Sequence, residues 1–221
     1  MDHLGSGQSW DLDRKINGLF LFTPTYDYTS VNQKVGDIEL FYQNNAYIRY
    51  AKEENLLITK SFMMANIDYN DAYQDFIDSG ADISIMYKKV SDVKNRFVGC
   101  DKLNLGLDGK FEGIGTNLGM EDHFNLSMEM YFIKKNVYFD LLFDSIEKGN
   151  ANYLKQAVLN SLGKYKVHTY EFKGYLSCIN NIRNYFDANM DILNPAISNE
   201  LFFKHGQILT KVKDEPSTHY K

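Results

Sequence analysis

Asp78-Ser79-Gly80-Ala81-Asp82-Ile83-Ser84-Ile85-Met86-Tyr87 changes its period partway along, and that change decides the fold class. Up to Asp78 the pattern from Asp71 is helical. Gly80 stops it, because glycine accepts the left-handed conformation that closes a helix. Beyond Gly80, Ile83, Ile85 and Tyr87 alternate with Asp82, Ser84 and Met86, which predicts a strand with one more polar face. A helix running straight into a strand is the unit of a sheet covered by helices, and the rest of the chain repeats that alternation.

Toward the N-terminus, Leu56-Leu57-Ile58-Thr59 reads as a short buried strand leading into Met63 and Met64. From Asp37 to about Glu53 the residues Ile38, Phe41, Ile48 and Ala51 share one helical face, with Asn45 interrupting the stripe. Leu19-Phe20-Leu21-Phe22 reads as a further buried strand, followed by a Pro- and Thr-containing loop up to Val35. Toward the C-terminus, short strands between Phe97 and Ile114 are punctuated by Leu107-Asp108-Gly109-Lys110, and Asp-Gly between apolar runs signals a hairpin. Ser127 to Ile133 and Lys166 to Phe172 are predicted strands, separated by helices around Val137 to Glu147 and Tyr153 to Leu162. A last helix, capped by Asn181 and ended by Asn194-Pro195, carries Ile182, Tyr185, Phe186, Met190 and Leu193 as its expected buried stripe. There is no internal repeat and no low-complexity linker.

Composition narrows the function. With 44% hydrophobic residues, 14% aromatics and 3 prolines in 221 residues, the chain suits a packed domain. Its net charge of -5 and lack of a basic cluster argue against nucleic-acid binding. Cys100 and Cys178 form no CxxC motif, so neither a zinc site nor a disulfide framework is indicated, and a reducing cytoplasm is expected. Met1 to Gly5 shows no basic start or apolar stretch of a signal peptide, and no run approaches the roughly 20 apolar residues of a membrane span.

The motifs that carry chemistry are sparse. Gly113-Ile114-Gly115-Thr116-Asn117-Leu118-Gly119 has glycines in the manner of a dinucleotide loop, but it follows a predicted hairpin rather than opening a helix, so no cofactor is assigned to it. His3, His123, His168, His205 and His219 share no metal-ligand spacing. No GxSxG elbow is present, and Asn125-Leu126-Ser127, a formal glycosylation acceptor, means little without a secretory signal. The residues by themselves lead to an α/β domain without overt chemistry.

A set of segments in chain order goes further: Leu4-Gly5-Ser6-Gly7 with Trp10-Asp11-Leu12-Asp13-Arg14, Gly36 to Asn44, Asn66-Ile67-Asp68-Tyr69 with Gly80-Ala81-Asp82-Ile83, Ser127-Met128, Tyr170-Glu171-Phe172-Lys173-Gly174-Tyr175, Ala188 to Leu193, and Thr210 to Pro216. Together they resemble the ADP-glucose pyrophosphorylase family. The resemblance implies the C-terminal portion of a nucleotide-diphospho-sugar transferase domain, Rossmann-like, with a mixed sheet flanked by helices. It places Met1 inside that domain, without the first phosphate-loop unit, and assigns residues 1–215 to it. Residues 216–221 then start a linker to a left-handed β-helix that lies outside the chain.

Members of the family transfer the adenylyl group of ATP to glucose 1-phosphate, and a magnesium ion held between two aspartates neutralises the phosphate oxygens. The resemblance puts Phe62, in Ser61-Phe62-Met63-Met64-Ala65-Asn66-Ile67-Asp68-Tyr69, at one aspartate position. It puts Cys178, in Tyr175-Leu176-Ser177-Cys178-Ile179-Asn180-Asn181, at the other. A phenyl ring offers no ligand, and a thiol is too soft for magnesium. The family's Glu-Lys clamp on glucose 1-phosphate aligns with Thr116 and Asn117, while Ser127 matches a substrate contact. Gln33-Lys34-Val35-Gly36-Asp37 stands where the family has a Trp-Tyr before a Gly-Thr-Ala-Asp turn.

The implied protein is a regulatory, catalytically inactive subunit of glycogen biosynthesis in the cytoplasm. It needs no cofactor or metal of its own and assembles with a catalytic subunit that carries Mg2+. Two alternatives remain at this point: an active nucleotidyltransferase drawing carboxylates from elsewhere, such as Asp68 or Asp122, and a truncated fragment with no independent role, its sheet left partly uncovered.

Overall fold

The computed structural model describes residues 4–15, 18–23, 36–92 and 95–206 of the chain. His3, His219, the loop through Val35 and residues 216–221 lie outside the described residues. In chain order the elements are α1 (Asp37–Gln43), α2 (Asn45–Tyr50), β1 (Asn55–Ile58), β2 (Met63–Met64), α3 (Tyr69–Ser79), β3 (Ile83–Ser91), β4 (Asp101–Leu105) and β5 (Phe111–Thr116). There follow β6 (His123–Lys134), α4 (Lys135–Lys148), α5 (Leu154–Asn160), β7 (Val167–Glu171), β8 (Ser177–Cys178), α6 (Ile182–Asp191) and α7 (Pro195–Phe203). The main sheet runs β5-β4-β6-β3-β7, with β1 also paired to β6. Only β3 and β7 run parallel; the other pairings are antiparallel, so the sheet is mixed as expected.

Helices cover both faces of this sheet. On one face Ile83, Ile85, Tyr131 and Ile133 pack with Ile38 of α1, Val137, Leu141 and Leu142 of α4, and Val158 of α5. On the other, Met86, Met128, Met130 and Phe132 pack with Ala72 and Phe76 of α3 and with Met63 and Cys178. The rings of Phe76 and Phe132 stack 5.8 Å apart. This double cover corrects the expectation of a polar face on β3: Ser84 and Met86 are as deeply buried as Ile83 and Ile85. Strands in the middle of a three-layer fold lose water on both sides, so alternation in the sequence stops reporting exposure.

The helix boundaries follow their local chemistry. Asp68 caps α3 by accepting from the N–H groups of Asn70 and Asp71, and Gly80 closes it at φ 61°. The hairpin of β4 and β5 turns over Gly106 to Lys110 as predicted. Asn181 caps α6 by accepting from the Asn184 N–H, and Asn194 caps α7 with Pro195 in its first turn.

Three further expectations need correction. The helix expected from Asp37 to Glu53 is two helices broken at Asn44, whose side chain donates to the Leu40 carbonyl at 2.8 Å and competes with helix propagation. Leu19-Phe20-Leu21-Phe22 is no strand: it pairs with no element among the described residues, and Phe20 and Phe22 rest half-exposed against Tyr47. The apolar stripe of α6 faces outward, with Ile182 86% exposed and Tyr185, Phe186, Met190 and Leu193 at least half exposed. Polar anchors choose the inner face instead. Asn184 donates to the Arg96 carbonyl at 2.6 Å and to Asn180 Oδ1 at 2.8 Å, and Asp191 grips the Arg96 guanidinium. Strand β1 forms where expected but is only half-buried, because β6 flanks it on one side alone.

The segment entering α1 docks against the turn entering α5. Asp37 Oδ1 accepts from the Leu154 N–H at 2.7 Å, the Ile38 N–H donates to the Asn152 carbonyl, and Lys60 pairs with Asp37 at 3.0 Å. Gly36 lies so close that an added Cβ would stand 1.8 Å from the Asn152 carbonyl oxygen. Backbone cannot yield as a flexible side chain does, so Gly36→Ala is expected to destabilise the protein by about 2–4 kcal/mol through forced displacement of this contact. Urea unfolding of the two proteins side by side tests it, and equal midpoints would show the contact to be soft.

Candidate functional site

Strands β2 and β8 form a two-residue ribbon that brings together the two positions singled out in the sequence. Met63 pairs with Cys178 and Met64 with Ser177, and the Ile179 N–H donates to the Phe62 carbonyl at 2.7 Å. Phe62 is partly buried in the cluster that contains Cys178, which is 2% exposed. The pairing sets Cys178 opposite Met63, while Phe62 packs against the cluster that holds both of them with Phe97 and Leu176.

Cys100 touches Cys178 and Asn117 touches Cys100, whereas Ser127 and Glu129 lie on β6. Cys100 Sγ lies 3.2 Å from Cys178 Sγ. Asn117 is 3% exposed and fully engaged: its side chain donates to the Phe97 carbonyl and accepts from the Gly119 N–H, while its own N–H donates to the Cys100 carbonyl. Its amide thus ties the turn before β4 to the turn after β5. Thr116 ends β5 opposite Asp101 and is exposed. Ser127, fully buried on β6, accepts at Oγ from the Glu129 N–H at 3.3 Å. Glycines 113, 115 and 119 lie on β5 and the turn leading to β6, so a strand follows them rather than a helix.

Glu129 is the site residue that sequence reasoning missed. Between the pairs Ile85 with Tyr131 and Tyr87 with Ser127, β6 carries extra residues against β3, and at this bulge Glu129 takes φ 52°. A glutamate in the left-handed region inside a strand is uncommon. Its half-buried carboxyl has no ion pair among the described residues. Burial pushes it above the ordinary value of 4.5, Asp101 pushes the same way, and Lys60 and Lys155 oppose. Those lysines are already engaged, Lys155 with both oxygens of the buried Asp101 at 2.8 and 2.7 Å and Lys60 with Asp37. The sequence signal was available, since Glu129 is a charge inside the apolar run from Leu126 to Ile133.

The alternative carboxylates are placed elsewhere. Asp68 serves as the cap of α3, and Asp122 lies in the exposed turn before β6. His168 on β7 meets Asp75 at 2.7 Å, and His123 and His205 are exposed. No group of three or more His, Cys, Asp and Glu able to hold a metal occurs among the described residues. A cleft of about 430 Å³ opens beside Ser177, lined by Ser91, Asp92, Arg96, Phe97, Leu176, Asp191 and Ile197. The Asp191 hydrogen bonds hold the Arg96 guanidinium firmly charged there.

Solved structures share this architecture. HddC from Yersinia pseudotuberculosis, complexed with GMP-PN, matches 84% of this chain and 72% of its own at TM-score 0.57 and 16% identity. A second HddC structure matches 73% of this chain and 64% of its own at TM-score 0.54 and 16% identity. At 16% identity these matches show a shared fold, the mixed sheet with helices on both faces.

Sequence relatives narrow the class. The glycogen biosynthesis protein GlgD of Bacillus subtilis is 26% identical over 220 residues, covering all of this chain and 53% of the relative. GlgD of Geobacillus stearothermophilus is 28% identical and covers all of this chain and 54% of itself. Glucose-1-phosphate adenylyltransferase of Bacillus licheniformis is 26% identical over 93% of this chain and 55% of its own length. These matches fit the ADP-glucose pyrophosphorylase family. The chain spans about half the length of the curated relatives it matches, and no family model matches it. Among the described residues no helix is long and apolar enough to cross a membrane.

Glu129 yields a prediction of known sign. Its folded carboxyl titrates above the unfolded one, so the protonated form stabilises: the gain is present in full below 4.5 and is lost as pH rises through the folded value. Glu129→Gln is therefore expected to be more stable than wild type at pH 7, with the difference fading toward pH 4. Glu129→Gly also relieves the left-handed backbone and is expected to add about 1 kcal/mol. Thermal unfolding across that pH range decides, and a glutamine variant less stable at pH 7 would contradict the assignment.

Proposed function

We propose that the chain is part of a regulatory, catalytically silent subunit of glucose-1-phosphate adenylyltransferase in glycogen biosynthesis. One observation carries the reading: the β2–β8 ribbon brings the backbones at Phe62 and Cys178 together, at the positions where the resemblance places the two magnesium-binding aspartates. Neither side chain offers the hard oxygen ligands that magnesium requires. The groups aligned with the sugar-phosphate clamp carry no charge: Thr116 is neutral, and the Asn117 amide is spent on Phe97 and Gly119. Ser127 is closed off from solvent by the core. The similarity to two GlgD proteins over the whole chain supports the glycogen role.

In this reading the subunit acts by packing against a catalytic chain of related fold, which supplies the Mg2+ and the chemistry. Its influence is a coupling free energy across that interface. The test has two arms. Incubated with ATP, glucose 1-phosphate and Mg2+, the purified chain is expected to form no ADP-glucose. Affinity purification of the tagged protein from its native cell is expected to recover a catalytic adenylyltransferase chain. Magnesium-dependent turnover at ordinary enzymatic rates by this chain alone would sink the proposal, and recovery of no such partner would remove its regulatory half.

A further inference from the structure

Two thiols separated by 77 intervening residues in the sequence meet sulfur to sulfur. Cys100 Sγ and Cys178 Sγ are 3.2 Å apart, and the residues are 4% and 2% exposed. Both backbones are fixed where the pair needs them. The Cys100 carbonyl accepts from the Asn117 N–H at 2.8 Å, and Cys178 is held in register against Met63. Asn180 Nδ2 donates to Cys100 Sγ at 3.6 Å, which orients that sulfur. We propose that Cys100 and Cys178 are a redox site, in which a peroxide oxidises the two thiols to a disulfide that pins β8 to the segment entering β4. This inference is independent of the proposed function.

A lone buried cysteine acts as a small apolar side chain, and packing explains it. Here the two sulfurs are directed at each other, and closing to the bonded distance of about 2.05 Å takes a movement of about 1 Å. The contact also makes the sulfurs unequal. The hydrogen bond between the sulfurs lowers the Cys178 thiol below its ordinary value, while the same bond and burial raise Cys100. Cys178 is thus the nucleophile and Cys100 the thiol that resolves it. Its thiolate attacks one peroxide oxygen, the O–O bond breaks, and hydroxide leaves and takes up the thiol proton as water. The sulfur of Cys100 then attacks Cys178 Sγ, the S–O bond breaks, and a second water carries off the remaining proton. One peroxide is reduced to two waters as two thiols become one disulfide. Access comes through the ribbon, since two-residue strands such as β2 and β8 open at less cost than the rest of the fold.

The test uses the full chain, reduced, desalted and exposed to a small molar excess of hydrogen peroxide. Free thiols are then alkylated in denaturant and the digest is read by mass spectrometry. The expected result is a linked pair of peptides containing Cys100 and Cys178, in monomeric protein, that dithiothreitol returns to two alkylatable thiols. A parallel sample alkylated after brief peroxide treatment with dimedone is expected to carry the trapped sulfenic acid on Cys178 rather than Cys100. Two fully alkylated cysteines after peroxide, sulfinic acid at each without a link, or an intermolecular disulfide would each overturn the proposal. Trapping on Cys100 instead would overturn the assigned order of attack.

Discussion

The pairing of β3 with β6 is the constraint on which everything else rests. Both strands are buried on both faces, so any slip in their register would drive Ile83, Ile85, Tyr131 and Ile133 out of one helix layer and Met86, Met128 and Met130 out of the other. One end of the pair is tied by Asp82. Its carboxylate accepts from Lys134 at 2.9 Å and from the Lys166 N–H at 2.9 Å, joining the starts of β3 and β7 to the end of β6. Burial opposes ionisation at Asp82, but those two donors outweigh it and hold the carboxyl below its ordinary value. At the other end the Asp92 N–H donates to the Asp122 carbonyl at 2.6 Å, so the extra residues of β6 are absorbed in the middle, where the bulge holds Glu129 within the influence of Asp101 and Lys155. The strained residue of the site is thus a consequence of the central register.

How much of this was legible in the sequence depended on the range of the interactions involved. Caps and stops were readable because they are local: Asp68 and Asn181 reach backbone groups two or three residues away, and Gly80 needs only its own φ. The Asp-Gly hairpin is local in the same sense. Exposure was not readable where long-range packing decides it. The alternation through Ile83, Ile85 and Tyr87 located a strand correctly but misjudged its second face, because α3 and the β2–β8 ribbon cover that face from other parts of the chain. On α6 the hydrophobic stripe lost to three polar anchors, each reaching to residues from Arg96 or Asn180, and nothing in the period of the helix announces them.

The site shows the same division. Resemblance singled out Phe62 and Cys178 one by one, but their adjacency needed the ribbon, and the approach of Cys100 to Cys178 has no sequence signature. Asp101 with Lys155 and Asp37 with Lys60 likewise join residues 54 and 23 positions apart. What residue type did convey was chemistry. That an aromatic ring and a thiol stand where the resemblance places carboxylates can be read without coordinates, because ligand hardness belongs to the side chain.

The replacement that the resemblance implies also makes energetic sense in this architecture. The core beneath the ribbon contains Met63, Phe97 and Leu176, and there the Cys178 sulfur meets a second sulfur. Two carboxylates held there without a cation would pay desolvation and mutual repulsion together, several kcal/mol for each buried charge in an apolar setting. A phenyl ring and a thiol turn the same volume into ordinary core. Glu129 shows the cost of keeping one such charge nearby, since burial already pushes its carboxyl toward the neutral form even with Lys60 and Lys155 opposing. A chain that stopped holding a cation at Phe62 and Cys178 would gain stability by abandoning its carboxylates.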